Sequence, residues 1–167
     1  MSLIARLDAR DRELFAQWAL VYPSALTRTF WRAVTHLGGA TFTIAVALSA
    51  MLSGDAAMHG AGIDAAMALA GTHLVAQVLK RTITRERPSC VDPLITMPEC
   101  FSFPSGHTIA ANSLAFVFAA HFPLWAPVIL PLGVLVAASR VRLGVHYPGD
   151  VVAGYAIAAL GAAFISL

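Results

Sequence analysis

Charge is what this chain has least of. Only 12% of its 167 residues are charged, against about 25% in soluble domains. Eleven Lys and Arg face nine Asp and Glu, for a net charge of +2. No basic block with interleaved aromatics is present, which sets nucleic-acid binding aside. Cysteine is scarce too. Cys90 and Cys100 lack C-x-x-C spacing, and no zinc-like set of Cys and His accompanies them. They flank a short polar loop, which suits a loop-closing disulfide in an oxidising compartment; two separate thiols are the alternative. The opening residues, MSLIARLDARDREL, do not read as a cleaved leader, because Arg6, Asp8, Arg10, Asp11 and Arg12 break any apolar stretch. No repeat, low-complexity tract or second domain is visible.

What the chain does have is apolar length. Hydrophobic residues make up 58%, where soluble domains hold about 45–50%. Five apolar runs stand out, at about 33–52, 63–79, 107–122, 124–139 and 151–167. Each is near the roughly 20 residues that span a bilayer core. Helices satisfy their own backbone hydrogen bonds, as lipid requires. Small residues such as Gly38, Gly39, Ala65, Gly71, Gly154 and Gly161 allow close helix approach. The expected fold is therefore an all-α integral membrane bundle of five transmembrane helices, six if the N-terminal segment also crosses.

Residues 1–32 differ from the rest. Leu14, Phe15, Trp18, Val21 and Tyr22 recur at helical spacing, while Arg10, Arg12, Glu13 and Gln17 take other faces. That pattern predicts an amphipathic interfacial helix preceding a transmembrane catalytic domain over 33–167. Five alternating helices also sort the polar residues. Lys80, Arg81, Arg85 and Arg87 follow the second run; Ser105 and His107 open the third; Arg140, Arg142, His146 and Asp150 lie between the fourth and fifth. All fall on one face. The opposite loops carry Asp55, His59, Asp64 and His121. Dense polarity near membrane depth marks a site.

Three stretches make up that face. In KRTITRERP, Lys80 and Arg87 stand seven apart, about two helical turns, and can face one way. Pro88 turns Arg87 out of the helical region and marks a helix end. In PSGH, Pro104, Ser105, Gly106 and His107 form a helix start whose amides and dipole suit an anion. In SRVRLGVHYPGD, Asp150 can reach back to a ring nitrogen of His146, fixing its tautomer and making the other nitrogen a better base or nucleophile. Arg140 adds a planar fork for phosphate oxygens. Taken singly, these are a basic collar, a capped helix and an ordinary loop. Taken together they supply what phosphoryl transfer needs: cations around the oxygens, a nucleophile and an acid.

The pattern K-x6-R-P, P-S-G-H and S-R-x5-H-x3-D resembles the type 2 phosphatidic acid phosphatase (PAP2) family, related to vanadium haloperoxidases. The resemblance runs in order from Lys80 to Asp150, with no departure at a motif position. It implies that His146 is the nucleophile of a phosphohistidine intermediate, that Asp150 orients it, and that His107 protonates the leaving group. It implies a phosphate cradle of Lys80, Arg87, Ser105, Gly106 and Arg140, and chemistry without a metal or other cofactor. The implied substrate is a lipid phosphate or diphosphate of the phosphatidate, phosphatidylglycerol phosphate or undecaprenyl diphosphate type. Many bacterial members have six spans; here the first is absent or replaced by the amphipathic segment. The competing readings are a vanadate-dependent haloperoxidase, a non-catalytic lipid-binding protein, and an anion channel suggested by Asp64, His73 and Gln77. The resemblance and the cysteine pair favour a multi-pass inner-membrane protein with a periplasmic active site. The N-terminal arginines argue against that orientation under the positive-inside rule.

Overall fold

The computed structural model describes residues 3–20, 23–89, 93–95 and 100–165. Those residues form seven α-helices: α1 (Leu3–Trp18), α2 (Ala25–His36), α3 (Ala40–Met51), α4 (Ala56–Ile83), α5 (Gly106–His121), α6 (Ala126–Arg142) and α7 (Pro148–Ile165). A short 3-10 turn, Pro123–Trp125, leads into α6.

Local chemistry sets several boundaries. Ser24 caps α2 by accepting the Thr27 N–H at 3.2 Å, and Asp55 caps α4 by accepting the Met58 N–H at 2.8 Å. Gly38 and Gly39 separate α2 from α3, and the two helices bend by 44° across that break. Gly38 cannot be larger: an added Cβ would stand 2.6 Å from Val136 Cγ1 and 2.7 Å from the His107 carbonyl. The pair therefore lets the chain turn directly against His107.

α5 is the axis of the bundle. It packs on α3, α4, α6 and α7 and buries residues from Thr108 through Phe118. Its main cluster joins Leu114, Val117 and Phe118 to Ala47, Ala50, Ala61 and Ala65. The facing alanines allow the close approach that membrane helices use in place of a hydrophobic drive. Large apolar side chains point outward instead, among them Leu52, Leu74, Leu124, Val128, Leu160 and Phe164. Such a surface suits lipid rather than water.

Three helical stretches are long and apolar enough to cross a membrane: Ala56–Ile83, Pro123–Arg142 and Pro148–Ile165. A fourth arises if the bent α2–α3 pair counts as one span. The remaining expected span, 107–122, is α5, which at 16 residues is shorter than that measure but lies at the centre of the bundle. The chain is an all-α, multi-pass membrane bundle.

Some boundaries differ from the sequence pattern. The division at 32/33 falls inside α2, not at a break. α4 starts before Ile63 and runs past Leu79, so Lys80 and Arg81 sit in its last turn. Arg140 and Arg142 belong to the last turn of α6, and Asp150 to the first turn of α7. Hydropathy alone ends a helix where charge begins; paired or buried charge lets the helix continue.

Candidate active site

Backbone contacts bring the three stretches together. α4 ends at Thr84, whose left-handed φ of 47° turns the chain out of the helix. Lys80 and Arg87 therefore do not share a helical face; Arg87 reaches the site from an extended segment. That segment is stapled to the second stretch: the Ser102 N–H donates to the Arg85 carbonyl at 2.8 Å, and Glu86 pairs with Phe101. The second stretch is tied to the third by the Ser105 N–H, which donates to the Asp150 carbonyl at 3.1 Å. The third folds back on itself: the Val145 and His146 amides reach the Arg140 carbonyl at 3.2 and 3.3 Å. Gly144, with φ of 78°, permits that turn.

His146 is almost wholly buried. Arg87 Nη1 donates to the Val145 carbonyl at 2.7 Å and lies 3.3 Å from His146 Nε2. A guanidinium can only donate, so Nε2 is the unprotonated nitrogen and Nδ1 carries the hydrogen. Nδ1 faces Asp150 Oδ2 at 3.5 Å, a close electrostatic pair but longer than a good hydrogen bond. The same carboxylate oxygen accepts the Tyr147 N–H at 2.9 Å. Burial above all, with Arg140 and Arg87, pushes the His146 pKa down to about 4 against the opposing pull of Asp150. The imidazole is therefore neutral near pH 7, with a lone pair on Nε2.

Arg87 and Arg140 act on this imidazole, and Lys80 and Arg140 on the neighbouring His107. Arg140 is fully buried in α6 and donates to the Thr35 hydroxyl of α2, while its Nε has no hydrogen-bond partner. A buried donor left over beside an unprotonated imidazole nitrogen suits an anionic oxygen. Lys80 is also buried. Ser105 is buried at the head of α5, where its hydroxyl accepts from Thr108 at 3.0 Å. Its own amide is taken by Asp150, so the anion-binding amides of this turn are those of Gly106 and His107. Beside Gly106 there is open space: an added Cβ would meet nothing within 4 Å. A cavity of about 590 Å³ begins here, lined by Gly106, His107 and Ile109 of α5, Thr43 and Ala47 of α3, and Leu69 of α4.

The structure thus brings Lys80, Arg87, Ser105, Gly106, His107, Arg140, His146 and Asp150 to one end of the bundle. Cys100 is exposed; Cys90, its expected partner, lies outside the described residues. Sequence reasoning missed Thr35, because nothing in α2 announces a contact with α6. It left Arg85 on the polar face with no assigned role. Arg85 instead reaches Asp150 at 2.8 Å and Asp11 at 2.8 Å. Burial weakens its hold on a proton, but Asp150 and Asp11 more than restore it, so it stays charged. The legible signal was Asp8 and Asp11, three apart on one face of the amphipathic helix.

Residues 61–167 match a family model described as the PAP2 superfamily. The chain is 42% identical over 86 residues to the decaprenylphosphoryl-5-phosphoribose phosphatase of Mycolicibacterium smegmatis, covering 49% of this chain and 46% of that one. It is 32% identical over 141 residues to phosphatidylglycerophosphatase B of Bacillus subtilis, covering 76% and 68%. The chain spans about half the length of the decaprenylphosphoryl-5-phosphoribose phosphatases it matches, 46% and 52%. Among solved structures, it superposes on the transmembrane PAP2 type phosphatidylglycerolphosphate phosphatase from Bacillus subtilis with a TM-score of 0.78 at 25% identity, covering 96% of this chain and 85% of that one. LpxE of Aquifex aeolicus shares the fold, with a TM-score of 0.80 at 21% identity over 92% and 93%. The family match takes in the last turn of α4, the head of α5 and the α6–α7 turn that together build this site, and it spans more than half of the sequence: the chain belongs to the PAP2 superfamily.

Proposed function

We propose that this protein is a membrane phosphatase that hydrolyses a lipid phosphate or diphosphate through His146. The observation that carries this reading is the arrangement at His146: Nδ1 backed by Asp150, and Nε2 free of hydrogen beside Arg87. In the first step Nε2 attacks phosphorus, the bond to the leaving oxygen breaks, and His107 supplies that oxygen with a proton. In the second, water attacks the phosphohistidine, the P–N bond breaks, and His107 takes the water's proton. Lys80, Arg87, Arg140 and the Gly106 amide hold the oxygens on which charge develops.

The cavity supports a lipid over a small ester. It is mainly apolar, starts at Gly106 and His107, and lies between helices of the membrane bundle. A phosphate at the mouth leaves room for its hydrocarbon within. A non-catalytic binder needs no carboxylate behind a buried imidazole. Of the residues that suggested a channel, Asp64 pairs with His121 at 2.7 Å near the opposite end, and His73 lines the cavity itself.

The site, on the same proposal, faces the periplasm from an inner membrane. α1 lies at the catalytic end, and its Arg10 and Arg12 pair with Glu13 and Asp8. That pairing reduces the positive charge which the orientation rule would weigh.

The test is phosphate release by the detergent-solubilised protein from a panel holding phosphatidate, phosphatidylglycerol phosphate, undecaprenyl diphosphate and a water-soluble phosphate monoester. Turnover is expected on at least one lipid, unchanged by chelator, and reduced at least about 1000-fold in His146→Ala. Wild-type turnover by His146→Ala sinks the mechanism.

A further inference from the structure

Arg85 belongs to none of the three motifs, yet its guanidinium reaches three carboxylates. Nη1 lies 2.8 Å from Asp150 Oδ1 and 2.8 Å from Asp11 Oδ2; Nη2 lies 2.9 Å from Asp8 Oδ1. The ring of Tyr147 sits against it, 4.3 Å from centroid to guanidinium carbon. Asp11 also accepts the Gly149 N–H at 2.7 Å, at the first turn of α7. The pairs with Asp150 and Asp11 are shielded from solvent, whereas Asp8 is 40% exposed. The side chains of Arg85, Asp11 and Asp150 are 18%, 12% and 0% exposed. α1 therefore hands two carboxylates to the cation that holds Asp150.

We propose that α1 is a positioning element of the active site, with Asp11 and Arg85 as positioning residues that hold Asp150 against His146. This rests on His146 being the nucleophile. The two oxygens of Asp150 do different work. Oδ2 faces His146 Nδ1 and takes the Tyr147 N–H; Oδ1 is held by Arg85. Fixing Oδ1 fixes the plane of the carboxylate and so the direction of Oδ2. Arg85 is fixed in turn by Asp11, Asp8 and the Tyr147 ring.

The contact also balances charge. Arg85 offsets part of the negative charge that Asp150 turns on the imidazole. Other charged or titratable groups face these residues: Arg87 and Arg140 on the His146 side, Arg12 and Tyr147 on the Arg85 side, with Lys80 and His107 beyond. Without Arg85, Asp150 draws a proton onto His146 more strongly, and the imidazole stays charged to higher pH.

The experiment uses the full chain in detergent with phosphatidate, or whichever panel lipid turns over fastest. Arg85→Gln is expected to lower kcat roughly 100-fold, as misplaced reacting groups do. KM should stay within about twofold, because Arg85 touches no substrate oxygen in this arrangement. The acid limb of kcat/KM should move to higher pH. Arg85→Lys should recover part of kcat, and Asp11→Asn should lower kcat with KM unchanged. Arg10→Gln, on the outer face of α1, should behave as wild type. If Arg85→Gln does not fold, Asp11→Asn and Arg85→Lys carry the test. Wild-type kcat in these variants overturns the proposal. So does a loss of activity that only tracks the folded fraction, with the acid limb unmoved. A wild-type protein inactive on every lipid, or full turnover by His146→Ala, overturns the functional reading and this proposal with it. Turnover that requires His146 but ignores Arg85 overturns the proposal alone.

Discussion

His146 has a carboxylate behind it and guanidiniums in front, and these pull its protonation in opposite directions. Burial and the cations win, and its pKa falls to about 4. An ordinary histidine titrates near 6.5. The direction matters for the proposed mechanism, in which only the neutral ring can attack phosphorus. Activity governed by this group is therefore present at neutral pH and lost as pH falls through about 4. The acid limb of kcat/KM, which reports the free enzyme, is expected there. A bound phosphate dianion offsets Arg140 and Arg87, so the acid limb of kcat should lie higher than that of kcat/KM. Initial rates from pH 3.5 to 8 would check both. A kcat/KM limb at about 6.5 would show that His146 is solvated like a histidine in an unfolded chain.

At the scale of elements, α1 is an amphipathic helix with one side docked on the catalytic end of the bundle. Its apolar anchor is Phe15, fully buried against Val141 and Tyr147, with an edge-on ring contact to Tyr147 at 5.4 Å. Trp18, which the sequence pattern placed on the same face, is 54% exposed. Val21 and Tyr22, from that same pattern, lie outside the described residues. The polar side of α1 reaches Arg85 and Gly149. Phe15→Ala should cost about 3–5 kcal/mol in this contact, as truncating a buried phenylalanine does. Hydrogen exchange is expected to show α1 amides losing protection while α5 amides keep theirs, with turnover falling in step. Full turnover with α1 undocked would mean that the helix has no bearing on the site. α2 and α3 make the complementary case, since their break at Gly38–Gly39 admits His107 to the end of the cavity.

At the scale of the whole molecule, the bundle puts every motif at one end and leaves the other with a His–Asp pair. A lipid phosphate would then be handled at one membrane surface while its hydrocarbon lies between helices. The side of the membrane follows from where that end sits. Cys100 is exposed in the loop that leads into α5 and so reports on it. An impermeant thiol reagent is expected to label Cys100 in intact spheroplasts, after reductant if it is paired with Cys90. Labelling seen only after lysis would put the site on the cytoplasmic face.

Hydropathy by itself determined that the chain is an all-α membrane bundle, because apolar runs of this length have few other solutions. Motif spacing by itself singled out His107, His146, Asp150 and the cations, because residue type and order survive in one dimension. The tertiary structure decided what those residues do to one another. It took Arg87 off the helix that carries Lys80, placed Arg140 within a span, and gave the Ser105 amide to Asp150 rather than to an anion. It also gave Arg85, one of several charges on the polar face, a contact with Asp150, 65 positions away, and with Asp11 across the bundle end. Such links depend on packing between distant segments. Sequence can show that a charge is present near a membrane; only the folded chain shows which opposite charge is buried beside it.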